Sequence, residues 1–206
     1  MKIPGGYIVA IEGIDAVGKN THSLLLSRWL EKKGVATALI SFPDYDTRIG
    51  KEIKSFLSGE RTYPKELQHL LFAANRWEKR DELESLLRAG EAIIVNRYSE
   101  SNLAYGVANG LDLDWLANLE KGMPKANLVI LLDAPPHSLT FRRPRDKKDA
   151  YEKSSALQAK AQKAYRELAR RRGWSLIDAS GTLESVQASI VKTTKTALER
   201  DKGVSI

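Results

Sequence analysis

The run Gly13-Ile14-Asp15-Ala16-Val17-Gly18-Lys19-Asn20 reads as a device for holding phosphate. Its glycines let the backbone curl until successive N–H groups converge on one point, and the lysine adds a positive charge on a flexible stem. The spacing Gly-x-x-x-x-Gly-Lys cradles a polyphosphate. Lys19 would bridge the β- and γ-phosphates and neutralise charge as the bond between them breaks. Gly13, Ala16, Val17, Gly18, Lys19, Asn20 and Thr21 are therefore the expected contacts to a triphosphate, with Lys19 catalytic. The motif asks for Ser or Thr after the lysine, to set a hydroxyl on magnesium, and Asn20 stands there instead. An amide oxygen also suits that hard cation. Thr21, one residue on, points about 100° further round a helix.

Such a loop needs a buried strand to deliver it and a helix N-terminus to follow it. Tyr7–Ile11 supplies the strand and Lys19–Lys33 the helical pattern. Further short runs, apolar on both sides, lie at Ala36–Ser41, Ala92–Val95, Leu128–Leu132 and Ser175–Ile177. Helical patterns fall between them, at Thr47–Leu57, Pro64–Arg88, Leu113–Lys121, Asp149–Arg172 and Leu183–Glu199. Gly34, Gly90 and Gly173 each follow a basic helix end, where a left-handed cap is wanted. The alternation gives an α/β fold of the P-loop NTPase type: a doubly wound parallel sheet of about five strands with helices on both faces. No repeat, low-complexity segment or linker divides residues 1–206, which are read as one domain. In the middle helix, Leu67, Leu70, Leu71, Ala74 and Trp77 form the stripe expected to face the core, while Phe72 and Arg76 share another face with His69 and Arg80.

Bulk properties narrow the classes. No apolar run is long enough to span a membrane, and the apolar start is too short for a signal peptide and is interrupted by Glu12. Without cysteine there are no disulfides and no thiolate metal sites, and a cytoplasmic location is the default. A net charge of +7 suits a site for several phosphates. Nothing interleaves basic and aromatic residues as a nucleic-acid reader would, so no nucleic-acid or membrane partner is expected. Arg170, Arg171 and Arg172 complement a helix C-terminus from the solvent side.

With these segments in view, the chain resembles the thymidylate kinase family from its first strand nearly to its C-terminus. Asp15 stands where the family has a carboxylate near the acceptor sugar, and Phe42-Pro43 is similar to the family's turn after strand two. Leu70–Glu78 places Phe72 for stacking on the base and Arg76 for gripping the acceptor phosphate. Asn96-Arg97-Tyr98 resembles an Asp-Arg-Tyr/His motif, and Ser101 to Tyr105 resembles the acceptor-side helix, with Gly106 where many relatives have glutamine. Leu139 to Glu152 is similar to the family's lid, at about 142–152, and Leu176–Val186 to its adenine-side loop. The resemblance implies phosphoryl transfer from ATP, with magnesium, to thymidine monophosphate on the way to dTTP, in a homodimer. Its acceptor-side residues would be Asp15, Phe42, Phe72, Arg76, Arg97, Tyr105 and Tyr151, with Tyr151 and Glu152 crowding a 2′-hydroxyl.

An arginine over the migrating group is worth roughly 10³–10⁵ in rate in related enzymes. Some family members carry it in the loop, where this chain has Ala16. Among Arg142, Arg143 and Arg145 of the lid, Arg145 is expected at the phosphates as a catalytic group beside Lys19 and Arg97, and Arg143 on the adenine. Tyr45 replaces an acceptor-phosphate arginine of some relatives; Arg48 could substitute, or Arg76 and Arg97 could suffice. Asn20 and Asn96 are the expected neutral oxygen donors to magnesium, directly or through water. The same loop would serve another nucleoside monophosphate or deoxynucleoside kinase, or a catalytically impaired nucleotide-binding relative. A GTPase would need Asn-Lys-x-Asp, which is absent.

Overall fold

A computed structural model describes residues 1–135, 151 and 154–206. Its strands are β1 (Tyr7–Glu12), β2 (Thr37–Ser41), β3 (Ala92–Asn96), β4 (Leu128–Asp133) and β5 (Ser175–Asp178). They form one parallel sheet in the order β2-β3-β1-β4-β5. β1 and β3 are buried throughout, which is why their sequences are continuously apolar rather than alternating. Alternate residues serve opposite faces. Ile8, Ala10, Ile93 and Val95 pack with Leu83, Tyr98 and Met123, whereas Val9, Ile11, Ile94 and Ile130 join Leu26, Leu30 and Ile190. The register sets Ile11 against Asn96 and Glu12 against Leu131, so the loops leaving β1 and β3 emerge level with each other. That edge of the sheet, beside the strand about which the order reverses, is where ligands bind in such folds.

The helices are α1 (Lys19–Lys32), α2 (Arg48–Ser58), α3 (Lys65–Trp77), α4 (Arg80–Ala89), α5 (Ser99–Ala108), α6 (Leu113–Leu119), α7 (Ser155–Arg172) and α8 (Leu183–Lys202). Gly34, Gly90 and Gly173 have the expected positive φ. Thr47 caps α2 by accepting from the Gly50 amide at 2.9 Å. Of the helix expected from Asp149, the described residues comprise Tyr151, which is helical, and α7, which starts after its Ser154 cap.

Two sequence readings need correction. The single helix expected over Pro64–Arg88 is broken at Glu78–Lys79, where the Lys79 amide bonds back to Arg76 O at 2.9 Å. The Lys79 ammonium lies 2.9 Å from Asp44 and 3.1 Å from Glu82, tying the corner down without the glycine or proline that would have announced it. The stripe expected on α3 is only partly inward: Leu71 packs against Ile53, Phe56 and Leu57 and Ala74 is half-buried, but Leu67, Leu70 and Trp77 are 38%, 42% and 36% exposed, while His69, Ala73, Asn75 and Arg76 are buried. The polar groups on the inward side of this helix are hydrogen-bonded to neighbouring elements, His69 to Asn102, Asn75 to Asp44 and Arg76 to Glu120.

Candidate active site

β1 delivers its loop against β4. A Cβ on Gly13, at φ 139°, would lie 2.4 Å from Leu132 O, so only glycine fits there. Gly18 has φ 102° and Ala16 φ 64°; the latter, a non-glycine residue in the left-handed region, holds about 1–3 kcal/mol of strain. α1 starts at Lys19, so its unpaired amides and positive dipole end open onto the loop. Lys19 is 6% exposed and folds across the loop, donating to Ile14 O at 2.8 Å with Asp15 at 3.9 Å.

Arg97 reaches Asp15 because its own backbone is left-handed, at φ 63°, with its amide bonded to Ile11 O at 3.1 Å. The guanidinium donates to Asp15 Oδ1, lies 5.4 Å from the Tyr105 ring centre, and contacts Ser101 Oγ at 3.3 Å. Asp15 Oδ2 accepts from Tyr105 at 3.1 Å and from Gln158 at 2.8 Å. Burial alone would raise the Asp15 pKa, but the Arg97 and Lys19 charges outweigh it and hold the carboxyl below the usual range. Beneath this pair Glu12, fully buried, accepts from the Tyr98 amide at 2.6 Å, Ser101 at 2.6 Å and Tyr165 at 2.9 Å, fixing the corner that aims Arg97.

At the other end Arg76 forms a two-pronged pair with Glu120, through Nε at 3.0 Å and through Nη2. Asn102 donates to the same carboxylate at 3.2 Å and to His69 O at 3.3 Å. His69, fully buried, meets Asn102 Oδ1 at 2.7 Å through Nδ1 and Asn109 Nδ2 at 3.0 Å through Nε2. Burial lowers the His69 pKa to about 4, so its ring is neutral near pH 7.

Every expected acceptor-side residue lines one cavity of about 90 Å³: Asp15, Phe42, Phe72, Arg76, Arg97, Tyr105 and Tyr151. Tyr151 stands 6.1 Å from Phe72 and 5.7 Å from Tyr105, ring centre to centre. Nucleotide-sized ligands usually occupy about 300–1,000 Å³, so this aromatic box must part to admit one. Tyr45 also lines the cavity, whereas Arg48 is exposed and outside it. An open groove of about 1180 Å³ along β5 is larger but contains none of the expected site residues. Gly106 lets α5 lie on α6: a Cβ there would meet Leu116 Cδ1 at 2.4 Å, which accounts for the missing glutamine.

Asn96 and Asn20 do come together, Asn96 Nδ2 donating to Asn20 Oδ1 at 2.6 Å. Asn96 is 7% exposed and its Oδ1 is buried without a hydrogen-bond partner. An orphaned acceptor at the phosphate loop fits a hydrated magnesium ion, whose water could donate to it. Nearby carboxylates are committed elsewhere: Asp15 and Glu12 as above, and Asp133 to Gln162 at 2.7 Å and Arg166 at 2.8 Å. No group of three or more metal-binding side chains occurs among the described residues. Arg142, Arg143 and Arg145 lie outside the described residues. Sequence reasoning missed Gln158, Asn102 and Glu120. Asn102 and Glu120 were polar residues in or next to helical patterns, and nothing in α7 singled out Gln158.

The thymidylate kinase family model matches residues 11–190. A thymidylate kinase of Arabidopsis thaliana is 36% identical over 187 residues, 91% of this chain and 70% of that protein. One from Plasmodium falciparum is 35% identical, covering 96% of this chain and 94% of its own length. A solved structure of thymidylate kinase from Candida albicans superposes with a TM-score of 0.82 at 30% identity, covering 93% of each chain. Together with the phosphate loop and the cleft beside it, these matches place the chain in the thymidylate kinase family.

Proposed function

We infer that this chain transfers the terminal phosphoryl group of ATP to thymidine monophosphate, giving thymidine diphosphate and ADP. One observation carries the choice of acceptor. Both Asn102 Nδ2 hydrogens are spent inside the protein, so its remaining capacity is a lone pair on Oδ1. Arg76 Nε and Nη2 are spent on Glu120, so what it has left is N–H donors. An acceptor beside a donor, next to Phe72, complements the N3–H and O4 of thymine. Cytosine presents the reverse at the same two atoms.

This alters the role of Arg76. With its charge already matched by Glu120, it suits a neutral carbonyl rather than a phosphate. Arg97 then takes the acceptor phosphate, and Asp15 holds Arg97 and faces the sugar. The loop amides and Lys19 take the β- and γ-phosphates. An oxygen of the acceptor phosphate attacks the γ-phosphorus in line, the bridging P–O bond to the β-phosphate breaks, and ADP leaves with that oxygen. Lys19 and Arg97 offset the charge spread over the migrating group. Asn20 and Asn96 would hold a magnesium ion from the protein side, and the ion would supply further positive charge to offset the phosphates. We assign Arg145 to the phosphates and Arg143 to the adenine on the family resemblance alone.

The exposed Leu67 and Leu70 on α3 support a homodimer that covers them. No helix among the described residues is long and apolar enough to cross a membrane, and a cytoplasmic place of action fits the supply of nucleotides and magnesium. A coupled assay with ATP, magnesium and a panel of nucleoside monophosphates tests the reading. Thymidine monophosphate should give the highest kcat/KM and deoxyuridine monophosphate the next; a cytidine or adenosine nucleotide ahead of both overturns it.

A further inference from the structure

We propose that His69, buried in the wall of the acceptor cavity, selects the base by fixing which way round the Asn102 amide sits. The proposal rests on the thymine reading given above and adds the residue that enforces it. An asparagine amide can turn over at little steric cost, exchanging oxygen for nitrogen, because its two ends have nearly the same shape. What faces the cavity is therefore decided by what holds Asn102 from behind.

Three contacts hold it. Asn109 Nδ2 has only hydrogens to offer, so at 3.0 Å it makes His69 Nε2 an acceptor. A neutral imidazole accepting at Nε2 carries its proton on Nδ1. That proton points at Asn102 Oδ1, 2.7 Å away, and the Asn102 nitrogen is left to donate to Glu120 and to His69 O. Turned over, Asn102 would set an N–H against the Nδ1–H of His69 and an oxygen against the Glu120 carboxylate. Both contacts would be repulsive, and the cavity would face a donor where thymine also brings one. The relay thus runs in one sense, Asn109 to His69 to Asn102 to Glu120, with Arg76 closing it from the other side. His69 is fully buried and Asn102 is 2% exposed, so water cannot readily replace a lost partner.

Two measurements test this. In wild-type protein at pH 7, ring ¹⁵N chemical shifts should show His69 neutral with its proton on Nδ1; a proton on Nε2 overturns the proposal without any variant. Second, kcat/KM is measured for thymidine and deoxycytidine monophosphates with wild type, His69→Leu and His69→Gln. The ratio of the two values does not depend on how much of a preparation is folded. His69→Leu should lower the ratio by at least about tenfold, since discrimination by a fixed hydrogen-bonding group is lost. His69→Gln, which keeps an N–H donor, should restore most of it. A His69→Leu enzyme equally impaired on both nucleotides, with its ratio unchanged, would reduce His69 to a packing residue. Failure of the thymine reading itself shows separately, as a wild type without preference for thymidine monophosphate.

Discussion

At the scale of single residues, the site is a set of charges matched before any ligand arrives: Asp15 with Arg97, Arg76 with Glu120, and Lys19 near Asp15. Glu100, which lines the groove along β5 rather than the site, behaves differently. Burial, and then the charge of Glu12, raise its pKa from 4.5 to about 7. Between those values the folded protein keeps a proton that the unfolded chain has released, so this group's contribution to stability falls as pH rises from about 4.5 to 7. His69 acts in the opposite sense, since burial holds it neutral while the unfolded chain takes up a proton as pH falls from 6.5 to about 4. Glu100→Gln should therefore raise Tm at pH 8 by a few degrees, with little change at pH 4.5; calorimetry at both pH values checks it, and equal shifts would contradict it. Asn96 gives a second prediction. Asn96→Asp adds a carboxylate to the proposed magnesium site, whose protein donors are amides, and Asn20 can turn its own amide to donate to it. The magnesium concentration for half-maximal rate should fall several-fold. An unchanged midpoint with unchanged Tm would remove Asn96 from the metal site.

At the scale of elements, the strands and the phosphate loop were legible because each satisfies a local rule. Buried parallel strands are short and apolar throughout, and a loop that curls on phosphate needs glycine where the backbone has no room, as at Gly13 against Leu132. α3 was misread in part because periodicity finds the apolar side of a helix, and here Leu67, Leu70 and Trp77 of that side are exposed while His69, Asn75 and Arg76 are satisfied by groups distant in sequence. Asn75, for example, holds Asp44 at the turn after β2 through contacts of 2.8 and 3.1 Å. Gln158 was invisible for the same reason, being defined by contacts 143 residues away. The packing of α5 on α6 yields a prediction. Gly106→Ala gains helix propensity worth about 1 kcal/mol but forces a methyl into the fully buried Leu116, where overpacking costs about 1–3 kcal/mol. A lower urea midpoint with unchanged slope is expected; a higher one would show that Leu116 can move aside.

At the scale of the molecule, the sheet brings three segments far apart in sequence to one edge: the loop after β1, the corner after β3 and the start of α7. In the proposed reading this separates the acceptor's base and phosphate ends, with Arg76 serving the base and Arg97 the phosphate. The sequence alone could not divide these roles, because the partner that neutralises Arg76, Glu120, lies 44 residues away. The central claim is that the phosphate loop and this cleft act together on two nucleotides. It is tested most directly by following the label of γ-³²P ATP in the presence of thymidine monophosphate and magnesium, with wild type and Lys19→Ala side by side. The label should appear in thymidine diphosphate, and Lys19→Ala, with an unchanged circular dichroism spectrum, should lose at least about 10²-fold in rate, as removal of a group that stabilises transition-state charge does. Label released only as inorganic phosphate, or a folded Lys19→Ala protein transferring at the wild-type rate, would contradict the account.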